Sequence, residues 1–66
     1  MRIRINGEWQ DRPGIETVAQ LLESLSLAPL RVAVERNKMI VRRADFGATE
    51  LADEDQLEIV TLVGGG

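Results

Sequence analysis

One apolar stripe at helical spacing limits what this chain can fold into. Val18, Leu21, Leu22 and Leu25 fall at i, i+3, i+4 and i+7, so about two turns of helix carry a single hydrophobic face. Thr17 stands at the N-cap position and Gln20 three residues later completes a capping-box pattern, while Pro29 stops any continuation. No other segment has this period. A sheet covered by one helix is therefore the architecture open to the chain.

The strand signals lie on both sides of the stripe. Arg2-Ile3-Arg4-Ile5 alternates polar and apolar, Asn6-Gly7 is a type I′ hairpin signal, and Glu8-Trp9-Gln10 returns as a second strand before the Pro13-Gly14 turn. After the helix, residues 32–35 read as a third strand, Asn37-Lys38 as a turn and residues 39–41 as a short fourth strand. Asp45-Phe46-Gly47 reads as a loop or a single helical turn with Phe46 tucked inward, and Asp53-Glu54-Asp55 as a polar turn. Residues 57–63 form the last strand and Gly64-Gly65-Gly66 the end. The order β-β-α-β-β-β, with the last strand returning to the centre, predicts an α+β fold of the β-grasp, ubiquitin-like kind. It has a mixed sheet of about five strands on one main helix. Residues 1–63 form one domain and 64–66 a flexible tail. The predicted core is Ile3, Ile5, Val18, Leu21, Leu22, Leu25, Val32, Val34, Leu57 and Ile59.

The composition removes most catalytic chemistry. The 66 residues include no cysteine, histidine or tyrosine. Thiolate nucleophiles, the usual general base near neutral pH and the commonest metal ligands are thus missing, and no catalytic or metal-binding residue is assigned. A chain this short buries only ~60% of the surface its unfolded form exposes, which leaves little room for a cleft beside a core. No secretory leader or membrane-length apolar run is present, so a cytoplasmic protein is expected, with no membrane partner. Residues 1–43 carry eight basic and five acidic side chains, whereas residues 44–66 carry six acids and no base. That acidic half disfavours nucleic acid and suits a basic protein surface.

The three terminal glycines follow directly on an apolar strand. Without a Cβ they can pass through a narrow channel and pair their peptide groups with a partner. The reactive group in that arrangement is the Gly66 α-carboxylate. A free α-carboxyl titrates at ~3.5, so it is ionised at neutral pH. A carboxylate is a poor acyl donor until ATP converts it to an acyl-adenylate. The sequence holds no GxxxxGK[ST] phosphate cradle for that step, so a partner enzyme must supply it.

At this level the chain resembles the ThiS family of thiamine-biosynthesis sulfur carriers. The resemblance rests on Thr17-Val18 opening a helix that reaches Leu21-Leu22, on Val32-Ala33-Val34-Glu35-Arg36-Asn37, on Ile40-Val41, on an acidic turn before the last strand and on Gly65-Gly66. Arg42-Arg43 stand where the family often has Pro-Arg, Phe46 where a Trp is common, and Asp53-Glu54-Asp55 where the turn often reads Asp-Gly-Asp. The resemblance implies a recycled co-substrate and not an enzyme. A ThiF-like adenylyltransferase using ATP and magnesium would adenylate Gly66. A cysteine persulfide donor would turn it into a thiocarboxylate, and a ThiG-like thiazole synthase would accept the sulfur for the thiazole ring.

The period of two directs Glu58, Val60 and Leu62 outward on the last strand, as a partner-binding patch beside Gly64 and Gly65. Glu58 with Asp53, Glu54 and Asp55 then forms an acidic rim that steers a basic partner. Two alternatives stay open. A MoaD-like carrier for molybdopterin synthesis would use the same tail chemistry, although such chains are usually longer and often carry a proline before the diglycine. A non-carrier β-grasp binding module would not need its glycines. Conjugation to lysines is a further option, but Lys38 is the only lysine, which disfavours lysine-linked chains.

Overall fold

The structure is a computed structural model and describes residues 1–62. Strands β1 (Arg2–Ile5) and β2 (Glu8–Asp11) precede helix α1 (Val18–Ser24), and β3 (Val32–Arg36), β4 (Met39–Val41) and β5 (Gln56–Thr61) follow it. Short 3-10 turns at Pro29–Arg31 and Arg43–Asp45 complete the order. The sheet runs β2-β1-β5-β3-β4. β1 and β5 are parallel and every other pair is antiparallel. This is the mixed, five-stranded β-grasp sheet that the sequence predicts, with β5 at its centre.

Both hairpin turns use left-handed backbone at their two central residues. Asn6 and Gly7 have φ of 48° and 86°, and Asn37 and Lys38 have φ of 51° and 71°, the type I′ signature. The helix is too short to persist alone, and its first four N–H groups are all satisfied. Thr17 Oγ1 accepts from Gln20 N–H, and the Thr17 carbonyl accepts from Leu21 N–H. Val18 and Ala19 donate to the carbonyls of Thr49 and Phe46. The loop around Phe46 thus caps the helix from outside, and the Phe46 side chain is buried as expected.

The core unites the helix stripe with one face of the sheet. Nine of the ten expected residues are buried there, from Ile3 to Ile59, and Phe46 and Leu51 join them. Leu25 is only half-buried because it is the helix C-cap. Leu51 is held by its N–H donating to the Glu16 carbonyl at 2.8 Å, next to a Thr17–Glu50 bridge that ties the loop to the helix entrance. No helix among the described residues is long and apolar enough to cross a membrane.

The helix ends earlier than Pro29 requires. Leu27 N–H donates to the Leu22 carbonyl at 2.9 Å and Ser26 N–H to the Glu23 carbonyl at 3.0 Å, the two bonds of a Schellman motif. Ser26 occupies the left-handed position of that motif with φ of 59°. Glycine suits this position better, since a residue with a Cβ is strained there by about 1 kcal/mol. Ser26→Gly is therefore expected to raise unfolding free energy by about 0.5–1 kcal/mol, read as a shift of the urea midpoint at constant slope.

Candidate functional site

Strand β5 is the last strand of the sequence before the glycines, and it is anchored on both sides. On one side it pairs with β3 from Arg36↔Leu57 to Val32↔Thr61, and the Leu62 N–H donates to the Arg31 carbonyl at 2.7 Å. On the other side it pairs with β1, where Arg4 and Asn6 donate their N–H groups to the carbonyls of Asp55 and Leu57, each at 2.9 Å. Beyond Ile5 the β1 backbone turns away, and a side chain takes its place. Asn6 Nδ2 donates to the Ile59 carbonyl at 3.0 Å, and the Ile59 N–H donates to Asn6 Oδ1 at 2.7 Å. The Asn6 carboxamide thus imitates one further peptide group of β1, and it spares Ile59 two unsatisfied backbone groups. By sequence Asn6 belongs to the turn alone. Its second role depends on a partner 53 residues away, which no local pattern reveals.

The side chains of β5 divide as their alternation predicts. Leu57 and Ile59 face the helix and are buried, while Glu58, Val60 and Leu62 face outward. Val60 is 57% exposed and Leu62 43%, so no other described element covers them. Both flank the strand end, on the side of the sheet opposite the helix. Gly64, Gly65 and Gly66, the predicted tail and modification site, lie outside the described residues.

The acidic rim differs from expectation. Asp53 and Glu54 are exposed, and Asp53 Oδ1 accepts from the Arg2 N–H at 2.7 Å. Asp55 is not part of a rim. It has the inward parity of Leu57 and Ile59 and is 6% exposed. Its carboxylate accepts from Arg36 Nε at 2.7 Å, Asn37 Nδ2 at 3.0 Å and the Ala52 N–H at 2.8 Å. A carboxylate spent on three internal donors serves the fold, since it locks the turn before β5 to the β3–β4 hairpin. Burial alone would raise its pKa. The hydrogen bonds from Ala52, Asn37 and Arg36, with the Arg36 charge, outweigh that and hold it below the ordinary carboxylate value.

Nothing else among the described residues competes as a chemical centre. No group of three potential metal ligands occurs there. A hollow of about 370 Å³ beside β4 is lined by Arg36, Asn37, Met39, Ile40, Val41, Arg42, Asp45 and Thr49, and includes none of the predicted site residues.

Comparison with known proteins places this geometry among related chains. A model of the ThiS family matches residues 3–66. The sulfur carrier protein ThiS of Bacillus subtilis is 40% identical over 67 residues, covering 97% of this chain and 98% of that one. A thiazole synthase of Magnetococcus marinus is 46% identical over 66 residues, with all of this chain matched to only 20% of that protein's length. The crystal structure of a thiamine-biosynthesis ThiS protein from Geobacter metallireducens superposes with a TM-score of 0.84 at 35% identity, covering 100% of both chains.

The Asp55 network yields a prediction in pH. Its folded-state pKa lies below the ordinary 3.8, so the unfolded chain takes up the proton first as pH falls. The stabilisation is complete well above that value and is lost as pH falls from about 4 through the folded pKa. Asp55→Asn is expected to lose about 1–3 kcal/mol at pH 7 and to show a flatter decline in acid than the parent, measured by urea unfolding between pH 7 and 2.5.

Proposed function

This chain belongs to the ThiS family, and from that premise we propose that it is a sulfur carrier for thiamine biosynthesis. It acts through the Gly66 carboxylate as a recycled co-substrate and not as a catalyst. The observation that carries this reading is the central β5 strand. It is fixed on both flanks and leads past uncovered Val60 and Leu62 toward three terminal glycines. The fold supplies a rigid handle, and the reacting atoms are backbone.

The chemistry belongs to partners. A ThiF-like adenylyltransferase holds ATP and magnesium. A Gly66 carboxylate oxygen attacks the α-phosphorus, pyrophosphate leaves, and an acyl-adenylate forms. The terminal sulfur of a cysteine persulfide on a donor protein then attacks the carbonyl carbon and expels AMP, giving an acyl disulfide. A second thiol attacks that sulfur–sulfur bond, so a disulfide forms and the Gly66 thiocarboxylate is released. In a ThiG-like thiazole synthase the thiocarboxylate sulfur bonds to an electrophilic carbon of an intermediate derived from deoxyxylulose phosphate, and water then cleaves the acyl–sulfur bond, which leaves the sulfur on that intermediate and returns the carrier as carboxylate. Similarity to part of a longer thiazole synthase supports this last partner. Glu58, Val60 and Leu62 form the docking face, with Asp53 and Glu54 at the start of β5 as steering charges. Gly64 and Gly65 thread the tail to each active site.

Incubation with the adenylating partner, ATP, magnesium and a persulfide donor is expected to yield a species heavier by about 16 Da, with sulfur in place of oxygen at the C-terminus. An unchanged mass beside a demonstrably active partner contradicts the carrier role. Removal of Gly65 and Gly66 separates this reading from a plain binding module. The truncated chain is expected to abolish thiazole formation while its unfolding midpoint stays unchanged, whereas a binding module keeps its function.

A further inference from the structure

The outward face of the sheet carries a second acidic feature, formed by register and not by sequence proximity. Glu35 of β3 and Glu58 of β5 are direct cross-strand partners. Two residues to one side the Asn37 N–H donates to the Gln56 carbonyl, and four residues to the other the Leu62 N–H donates to the Arg31 carbonyl. That periodicity makes Glu35↔Glu58 a hydrogen-bonded pair, with Cα atoms about 5.5 Å apart. Like charges placed directly opposite in this way destabilise a sheet. Among the described residues neither carboxylate has an ion-pair partner. Arg4 and Lys38 line a small hollow that Glu58 also borders, but neither comes within 4.0 Å of its carboxylate.

Toward the strand end and toward β4 the neighbours of this pair are apolar and uncovered, while Gln56, Asn37, Arg4 and Lys38 lie on its other side. One register step toward the strand end, Ala33 lies opposite Val60, and Leu62 follows on the same face. On the other flank Ile40, 70% exposed, is the cross-strand partner of Glu35. A pair of carboxylates without an ion-pair partner thus borders an exposed apolar surface on β3, β4 and β5. Such a surface gains from a group that brings charge and planarity together. A guanidinium can give one N–H fork to each of two carboxylates and lay its flat face on aliphatic side chains, whereas an ammonium is a point charge with a tightly held water shell.

We propose that Glu35 and Glu58 together receive an arginine side chain of the adenylating partner, with Ile40, Ala33 and Val60 packing around its stem. This rests on the sulfur-carrier reading and deepens it. The repulsion carried by the free chain becomes an attraction in the complex, so the two residues lower the stability of the carrier and raise its affinity.

That opposition of sign gives the test. E35Q, E58Q and the double variant E35Q/E58Q are compared with the parent in two measurements. In thermal unfolding of the free chain the double variant is expected to melt about 1–8 °C higher. As substrates in pyrophosphate release by the adenylating enzyme, the variants are expected to keep kcat within about twofold while KM rises about 10- to 100-fold. The rise of KM with added salt, present in the parent, is expected to flatten in the double variant. An unchanged KM, or a double variant that melts lower than the parent, overturns the proposal. Both results leave the carrier role intact, because the parent still turns over with release of pyrophosphate in the same assay. A parent chain that is never adenylated by an active partner removes the carrier reading and this proposal with it.

Discussion

The parallel pairing of β1 with β5 is the contact on which the rest depends. It brings residues 4 and 5 against residues 56 and 57, so almost the whole chain must be closed into a loop before it forms. The β1–β2 and β3–β4 hairpins are local and each is marginal alone. β5 enters between them and makes one sheet of two ribbons, and only then does a continuous apolar face exist for Val18, Leu21 and Leu22 to cover. The Asn6 carboxamide lengthens this seam by one residue, at the point where the β1 backbone has to leave for its turn.

Around that seam, polar groups serve construction more than chemistry. Asp55 joins the turn before β5 to Arg36 and Asn37, and the Gln56 N–H donates to Asn37 Oδ1 at 2.9 Å. One carboxylate and one carboxamide therefore set the height at which β5 enters the sheet.

Much of the fold was legible from pattern alone. The helix stripe, its capping box, the Asn6-Gly7 turn and the alternation of β5 are local signals, and each reappears in the structure within a residue or two. The parts that were not legible depend on distant partners or on strain. Asp55 reads as one more charge in an acidic turn, and its burial follows only once Arg36 and Asn37 are known to face it. Leu51 has no periodic neighbours, because it belongs to a loop that crosses the helix entrance. Ser26 ends the helix in a conformation usually left to glycine, so Pro29 looks like the stop when it is not. On the outward face, the exposure of Val60 and Leu62 follows from strand parity. The pairing of Glu35 with Glu58 does not, because it depends on which residue lies across the sheet.

Parallel strands at the middle of a sheet also settle how the molecule meets a mechanical load. Met1 stands three residues before the pairing of Arg4 with Gln56, and Leu62 six residues beyond it, so they are roughly 30 Å apart along the strands at ~3.3 Å per residue. Tension between the two ends therefore runs along the strands, and the backbone hydrogen bonds on both flanks of β5 resist it in shear, many at once, instead of opening one after another like a zipper. A pull on the chain beyond Leu62 therefore acts on the strand that is hardest to extract.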